Sequence, residues 1–278
     1  MTIAVEDRVA QHYAQGRLEQ TITEALAASG ADLARLVPAD LAPVDEFPIG
    51  GRQATVDFAS QLQVSPSASL LDIGCGLGGA SRYFAHERGC RVTGIDLTVE
   101  YVTVAAALAV RVGLSEVVTY RQGSALALPF AAASFDGAYM LHVGMNIQDK
   151  AKLFAEVRRV LKPGAVFGIY DVMREGDGDL AFPVPWASTP ETSFVAGAAD
   201  YRRLLEAAGF AVHKERSRRE FAMEFFRQLR ARAADADGPP PLGLHLLMGP
   251  TAPQKVANMI DNLQRGLIAP IEIVSGAV

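Results

Sequence analysis

Apolar residues near the amino terminus recur at helical spacing. Over residues 6–29 this spacing predicts a helix that ends at a Ser-Gly pair. Prolines and a glycine pair punctuate residues 38–51, which predicts a linker, and helical spacing returns over residues 53–63. We therefore expect residues 1–50 to form a helical cap and linker ahead of a core.

From residue 69 onward, short apolar runs alternate with helix-like segments. The predicted strands are residues 69–73, 91–95, 117–122, 135–141 and 165–172, and the predicted helices between them are 80–87, 99–112 and 150–161. Strands that alternate with helices form parallel sheets, because right-handed crossovers place the helices on both faces. The pattern predicts an α/β fold with a doubly wound, mostly parallel sheet.

The alternation becomes less regular toward the carboxyl terminus. Helices are predicted at 201–208, 221–234 and 254–264, and strands at 210–214 and 268–274, which brings the sheet to seven strands. Pro270 lacks an N–H group, so the last strand is expected to be edge-like or irregular. We expect one domain over residues 1–278, with a core at 51–218, a helical insert or lid at 219–267 and a terminal strand at 268–278.

Composition and charge narrow the class of protein. Of 278 residues, 50% are hydrophobic and 21% are charged, which is enough to bury a core and excludes a disordered chain. The net charge of −5 disfavours a nucleic acid or an anionic membrane as partner. The chain has only two cysteines and no signal-like or bilayer-length apolar segment. We expect a cytoplasmic protein with reduced thiols; the pattern does not predict an oligomeric state.

A cluster of glycines lies between the first predicted strand and the following helix. The sequence reads Asp-Ile-Gly-Cys-Gly-Leu-Gly-Gly over residues 72–79. Glycines let the backbone turn tightly and approach a ligand, and the helix that follows offers free N–H groups. Gly74, Gly76 and Gly79 also satisfy the dinucleotide fingerprint, so this turn alone leaves a nicotinamide cofactor open.

Two carboxylates flank this turn in the predicted sheet. Asp72 stands directly ahead of the glycines, where it would repel a pyrophosphate but would favour the cationic groups of S-adenosylmethionine (SAM). Asp96 ends the second predicted strand, the position from which an acid accepts ribose hydroxyls. That second role is common to both cofactors, so the preference for SAM depends on Asp72.

Five ordered blocks between residues 71 and 164 carry a family resemblance. They are Leu-Asp-Ile-Gly-Cys-Gly-Leu-Gly-Gly at 71–79, Gly-Ile-Asp-Leu at 94–97, Gly-Ser-Ala-Leu-Ala-Leu-Pro-Phe at 123–130, Ala-Ser-Phe-Asp at 133–136 and Val-Leu-Lys-Pro-Gly at 160–164. The chain resembles the class I SAM-dependent methyltransferases. Within that class it is similar to the small-molecule group around the ubiquinone/menaquinone, sterol and sarcosine/dimethylglycine methyltransferases.

The resemblance implies a set of cofactor contacts. Those residues are Asp72, Gly74, Cys75, Gly76, Asp96, Leu97, Gly123, Ser124, Ala125 and Leu141. The family most often has Asp where this chain has Ser124, whose hydroxyl can still accept a hydrogen bond from the adenine amino group. Arg52 could hold the SAM carboxylate through a charge-assisted bond, or could be a solvated surface arginine.

Fewer residues are candidates for contact with the methyl acceptor than for contact with the cofactor. His142 follows the fourth predicted strand, where a neutral imidazole could serve as general base or could act only as a hydrogen-bonding group. Tyr13, Met145, Trp186 and His245 are the candidates for an acceptor pocket, with Met145 equally suited to fill a core. No cysteine or histidine cluster has metal-ligand spacing, so no metal is expected.

These features together predict an enzyme that transfers a methyl group from SAM to nitrogen or oxygen of a small organic molecule, with carbon acceptors also open. The reaction would be an in-line displacement that releases S-adenosylhomocysteine, and it needs alignment and desolvation more than a base. Two alternatives stay open: a non-catalytic SAM-binding accessory protein and an NAD(P)-dependent oxidoreductase.

Overall fold

A computed structural model describes residues 5–14, 16–234 and 238–278 of the chain. Residues 1–4 of the predicted cap and residues 235–237 of the predicted insert lie outside the described residues. No helix within the described ranges is long and apolar enough to cross a bilayer.

A seven-stranded sheet forms the centre of the fold. Its strands are β1 Ser69–Ile73, β2 Arg91–Asp96, β3 Val118–Gln122, β4 Phe135–Leu141, β5 Leu161–Arg174, β6 Phe210–Ser217 and β7 Ile268–Ala277. The strand order is β3-β2-β1-β4-β5-β7-β6, in which β1 to β5 are parallel and β7 runs antiparallel to both neighbours. The predicted mostly parallel, seven-stranded α/β sheet is confirmed.

Helices cover both faces of this sheet. They are α1 Val5–Tyr13, α2 Leu18–Ala28, α3 Pro38–Asp45, α4 Gly51–Ala59, α5 Gly79–Arg88, α6 Val99–Arg111, α7 Lys150–Val160, α8 Ala198–Ala207, α9 Arg219–Ala234, α10 His245–Met248 and α11 Ala252–Gln264. Phe58 of α4 and Phe84 of α5 pack into one buried apolar cluster, and Phe154 of α7 and Tyr201 of α8 pack into another. Burial on both faces accounts for the nearly continuous apolar runs of the central strands.

The amino-terminal helix predicted over residues 6–29 is wrong in one respect, because it is interrupted between α1 and α2. Gly16 at the break has a φ of +85°. The carboxylate of Glu100 accepts the N–H groups of Gly16 (2.8 Å) and Leu18 (3.0 Å) and so caps the start of α2. The apolar spacing continues across the break, so only this distant carboxylate explains where α2 begins.

The predicted linker over residues 38–51 is also wrong, since it contains α3. Pro38 begins this helix, where a missing N–H group costs nothing because first-turn N–H groups have no partner within a helix. Leu41 and Val44 of α3 are fully buried beside Leu26 of α2. Tertiary burial therefore outweighs the proline signal.

Pro270 lies in an interior strand, contrary to the expected edge strand. It pairs with Val172 of β5, but the ladder between β6 and β7 reaches only as far as Ser217 and Ile271. The missing N–H group therefore falls just beyond the end of β6, where β7 has the local character of an edge.

Candidate functional site

A cavity of about 240 Å³ opens at the carboxyl ends of the parallel strands. The connection that leaves β1 runs to β2, whereas the connection that leaves β3 returns past β1 to β4 on its other side. The point between β1 and β4 is therefore the switch point where doubly wound sheets bind ligands. The cavity lining has two parts. The strand ends and the turns that follow them form its floor, and α1 together with residues 45–48 forms its cover.

The predicted glycine turn belongs to the floor, and two of its glycines are required for different reasons. Both adopt left-handed backbone, with φ of +67° at Gly74 and +53° at Gly76. A Cβ on Gly74 would lie 2.5 Å from a methyl group of Val143, whereas a Cβ on Gly76 would meet no atom within 4 Å. Gly74 thus permits packing against the end of β4, and Gly76 leaves backbone exposed to the cavity.

Asp96 connects the end of β2 to this turn. Its Oδ2 accepts the N–H of Gly76 (2.9 Å) and its Oδ1 accepts the N–H of Thr98 (2.8 Å). Burial raises the pKa of Asp96 above its usual value. Each carboxylate oxygen keeps a second lone pair, so Asp96 can accept two ligand hydroxyls without losing its backbone contacts.

Asp72 and Glu46 add two further buried carboxyl groups. Asp72 is 2% exposed and its Oδ2 accepts the hydroxyl of Ser81 at 2.6 Å. Burial raises the pKa of Asp72 to about 7, and burial together with the charge of Asp45 raises the pKa of Glu46 to about 7. A cationic ligand would lower both values and would be bound more tightly for that reason.

The cavity is acidic as a whole. Asp45 forms an ion pair with Arg82, yet its Oδ1 is buried without a hydrogen-bond partner. No lysine or arginine occurs among the described residues that line the cavity. Six of them are acids: Glu6, Asp45, Glu46, Asp72, Asp96 and Asp149.

The structure does not bring Arg52 to the cavity, which corrects its predicted role as a carboxylate ligand. Its guanidinium donates to Glu46 Oε1 at 3.2 Å, approaches Glu87 Oε1 at 3.6 Å and lies 4.6 Å from the ring centroid of Tyr83. Both acids compete for the charge that a ligand carboxylate would need. Arg52 therefore acts on the site only through Glu46.

His142, the predicted general base, lines the cavity with both of its ring nitrogens engaged. The backbone N–H of Ile49 donates to His142 Nε2 at 3.2 Å, so the proton of the neutral ring is on Nδ1, which donates to the carbonyl of Tyr170 at 3.0 Å. The hydroxyl of Tyr170 donates to the carbonyl of Ile49 at 2.8 Å. Burial lowers the pKa of His142 to about 4. The imidazole is thus a neutral clamp between the cover segment and the sheet.

Ser124 also differs from its predicted role. Gly123 and Ala125 line the cavity beside Leu97, but Ser124 does not. Its hydroxyl donates to Glu6 Oε1 and accepts the N–H of Leu126 at 3.0 Å. A carboxylate from α1 therefore reaches this end of the cavity.

Of the four predicted acceptor residues, only Tyr13 lines the cavity. Its hydroxyl donates to Asn146 Oδ1 at 3.0 Å, and Asn146 Nδ2 donates to the carbonyl of Trp186 at 2.8 Å. The Trp186 and Met145 side chains are buried in an apolar cluster behind the cavity. His245 begins α10, which packs on α2 away from the cavity. The structure therefore does not place Trp186, Met145 or His245 in the lining of the cavity, contrary to the prediction.

The remaining predicted cofactor residues fall along the floor. Cys75, Leu97 and Leu141 line the cavity. The thiol of Cys75 packs on Gly94, where a Cβ would lie 2.8 Å from its sulfur. Burial raises the pKa of this thiol, which keeps it protonated and unreactive.

Among the lining residues that sequence reasoning missed are Glu6, Asp45, Glu46 and Tyr101. The hydroxyl of Tyr101 is buried without a hydrogen-bond partner, a second unsatisfied polar atom beside that of Asp45. In the sequence, Tyr101 falls in a helical pattern and reads as a core residue, while Asp45 and Glu46 fall in the predicted linker. In the described ranges, no group of three or more acidic, histidine or cysteine side chains could hold a metal ion, and the expectation of no metal stays a prediction.

Comparison with known proteins gives a domain match over part of the chain and a shared fold. Residues 71–169 match the family described as "Methyltransferase domain". A sterol 24-C-methyltransferase of Gibberella zeae is 34% identical over 114 residues, which cover 41% of this chain and 30% of that protein. Across the first four curated relatives the aligned segment spans between 30% and 64% of the relative's length.

Solved structures of methyltransferases share the architecture over the full chain. Phosphoethanolamine N-methyltransferase 2 of Haemonchus contortus, solved with SAM, superposes with a TM-score of 0.75 at 18% identity, covering 99% of this chain and 60% of that one. Geranyl diphosphate C-methyltransferase of Streptomyces coelicolor, solved with S-adenosylhomocysteine, gives a TM-score of 0.70 at 17% identity, with coverage of 100% and 99%. Residues 71–169 therefore match a methyltransferase domain, and the chain as a whole has the fold of these solved methyltransferases.

Proposed function

We propose that the protein transfers a methyl group from SAM to a small organic acceptor. The observation that carries this proposal is the acidic cavity at the switch point of the sheet, where Asp72 is buried and Asp96 is half-buried beside a glycine turn. SAM carries an ammonium and a sulfonium and has no phosphate. A dinucleotide would instead bring a pyrophosphate against buried acids with no lysine or arginine among the described lining residues.

The residues present fit this cofactor. Asp72 and the unsatisfied Oδ1 of Asp45 supply acceptors for an ammonium, and Asp96 supplies acceptors for ribose hydroxyls. Leu97 and Ala125 offer apolar surface for a base. Ala80 lies in the first turn of α5, where free N–H groups and the helix dipole favour a carboxylate. When bound, the cofactor supplies a methyl group activated by the sulfonium.

The protein's own contribution is alignment and exclusion of water. Phe47 and Pro48 of the cover face the cavity, and the clamp between Ile49 and His142 holds this segment over the floor. Because both ring nitrogens of His142 are engaged, the acceptor must present a nucleophilic lone pair without help from this residue. Positioning and desolvation can supply much of the rate enhancement of such a displacement.

The same cavity constrains the charge of the acceptor. Two of the related structures are methyltransferases named for phosphoethanolamine and for geranyl diphosphate, and both of these are phosphorylated compounds. Near Tyr13 the lining offers Asn146 and Gln148 as neutral polar groups and Asp149 as an acid. We therefore propose an uncharged or cationic acceptor, because a phosphate would meet no compensating cation among the described lining residues.

Calorimetric titration with S-adenosylhomocysteine and, in parallel, with NADH tests the cofactor. Saturable binding of the first ligand alone supports the proposal, and binding of NADH alone overturns it. Methyl transfer from labelled SAM to a panel of neutral, amine and phosphorylated acceptors then tests the acceptor class. Turnover of only the phosphorylated compounds would contradict the proposed charge selectivity. Cofactor binding without turnover of any acceptor would favour the accessory-protein alternative.

A further inference from the structure

The first helix is held over the cavity by polar contacts more than by burial. Val9 is its single buried side chain. At one end, Glu6 accepts the hydroxyl of Ser124 after β3. At the other end, His12 Nε2 lies 3.1 Å from the carbonyl of Pro185 and Tyr13 donates to Asn146. Helix α1 thus crosses the cavity with Glu6 above the ends of β2 and β3.

The surroundings of Glu6 define what it can recognise. Beside it, Leu97, Ala125 and Leu126 form an apolar surface next to Asp96. If Asp96 binds a ribose, the attached base lies on this surface with its polar edge toward Glu6 and Ser124. This step rests on the proposed function, which supplies the nucleoside.

The hydrogen-bonding positions of Glu6 and Ser124 indicate which of the two side chains accepts a hydrogen bond from the base. The Ser124 hydroxyl gives its one proton to Glu6, accepts the N–H of Leu126 and does not line the cavity. Glu6 lines the cavity, and an ionised carboxylate accepts hydrogen bonds at both oxygens and donates none. Adenine presents an amino donor at its six position, whereas hypoxanthine presents a carbonyl oxygen there, which a carboxylate repels.

We propose that Glu6 accepts the amino group of adenine, selects adenine over six-oxo purines and thereby couples docking of α1 to cofactor binding. Ser124 acts as a positioning residue that orients the Glu6 carboxylate. Because the two events share this contact, each strengthens the other. The sequence gives no sign of this arrangement, since Glu6 and Ser124 are separated by 118 positions.

The test compares S-adenosylhomocysteine with S-inosylhomocysteine, which differs at the six position of the base. Wild-type protein is expected to prefer the adenine ligand, and Glu6→Gln is expected to lose about 10- to 100-fold in affinity for it. Because a glutamine amide can also donate, the same variant should bind the inosine ligand no more weakly than the wild type does. Asp7→Asn is the matched control, since Asp7 is exposed on the same helix and the change removes the same charge.

Two outcomes overturn the proposal in distinguishable ways. If Glu6→Gln keeps the wild-type preference for adenine, Glu6 is not the recognition residue even though the proposed cofactor stands. If wild-type protein binds neither ligand, the proposed function fails and this inference fails with it.

Amide hydrogen exchange in α1 gives a second readout, which reports directly whether the helix docks over the cavity in each protein. S-adenosylhomocysteine should slow exchange over residues 6–13 in wild type and in Asp7→Asn. In Glu6→Gln that protection should be largely lost while protection at the glycine turn persists. Equal protection of α1 in all three proteins would contradict the coupling.

Discussion

The floor and the cover of the cavity are built in different ways. In the floor, Asp96 and Gly76 are joined by a hydrogen bond between neighbouring strand ends, within a sheet that is buried on both faces. In the cover, contacts run between residues far apart in sequence, such as Glu6 with Ser124 and Ile49 with His142. The floor is therefore formed before a ligand arrives, whereas α1 of the cover, with Val9 as its single buried side chain, can be displaced at the cost of a few polar contacts.

The difference also has an electrostatic side. The floor keeps Asp72 buried and Asp96 half-buried, both with raised pKa values, which makes the site costly without a cation. The cover adds Glu6, Asp45 and Glu46 to the lining. Contacts such as that of Ile49 with His142 hold it over the floor. Both regions thus contribute acids to the site, and the cover also governs entry and exclusion of water.

The largest effect is expected from the floor. Asp96→Ala removes both the acceptor of the Gly76 N–H and the proposed acceptors of two ribose hydroxyls, so affinity for S-adenosylhomocysteine should fall by about 100-fold or more. Calorimetric titration measures the change. Asp136→Ala, at the opposite end of the sheet, is the control and should bind normally. Unchanged affinity in Asp96→Ala would mean that the floor does not hold the cofactor.

His142→Ala tests the clamp between the two regions. The change removes the ring contacts to Ile49 and Tyr170, and the free energy of unfolding should fall by about 2 kcal/mol. Chemical denaturation measures this loss. The pH–rate profiles of the wild type and the variant should show the same ionisation steps, because His142 does not exchange a proton during the reaction. A stable variant that has lost only kcat would instead restore the general-base role.

Cofactor affinity should rise with pH through neutrality. The carboxyl groups of Asp72 and Glu46 have pKa values of about 7, so both are partly protonated in ligand-free protein near pH 7. A bound cation favours their ionised forms, and SAM should therefore bind up to about tenfold more tightly per group at pH 7.5 than at pH 6.

The stability of the ligand-free protein depends on pH with the opposite sign to the cofactor affinity. A carboxyl group whose pKa is raised by folding stabilises the ligand-free protein below the unfolded pKa, and that contribution is lost as pH rises through about 7. Calorimetry in buffers of different ionisation enthalpy should detect protons released on binding. Glu46→Gln should reduce their number, and pH-independent binding without proton release would contradict the assignment.

The smallest effect is expected from the far end of the cover. Tyr13→Phe removes one hydrogen bond to Asn146, at a cost of about 1 kcal/mol. The expected result is a rise of a few fold in the KM of the acceptor, with kcat nearly unchanged. Steady-state kinetics would show this split. A loss in kcat of more than about tenfold would assign the Tyr13 hydroxyl to the reaction itself.

Most of the sheet could be predicted because its signals are local. Periodicity located all seven strands, although β5 extends over Leu161–Arg174 and is longer than the predicted 165–172. The same method missed α3 and the break before α2. Those features depend on burial of Leu41 and on capping by Glu100, neither of which is encoded in neighbouring residues.

The sequence by itself determined the floor of the site. A glycine turn after a buried strand, with Asp72 before it and Asp96 at the next strand end, has its place fixed by strand period and turn chemistry. Only the tertiary structure decided the cover. In the folded chain the ring nitrogens of His142 are hydrogen-bonded to backbone groups, including that of Ile49. Arg52 pairs with Glu46, and Glu6 lies beside Ser124. Competition among distant hydrogen-bond partners sets these roles, and no local pattern records which partner prevails.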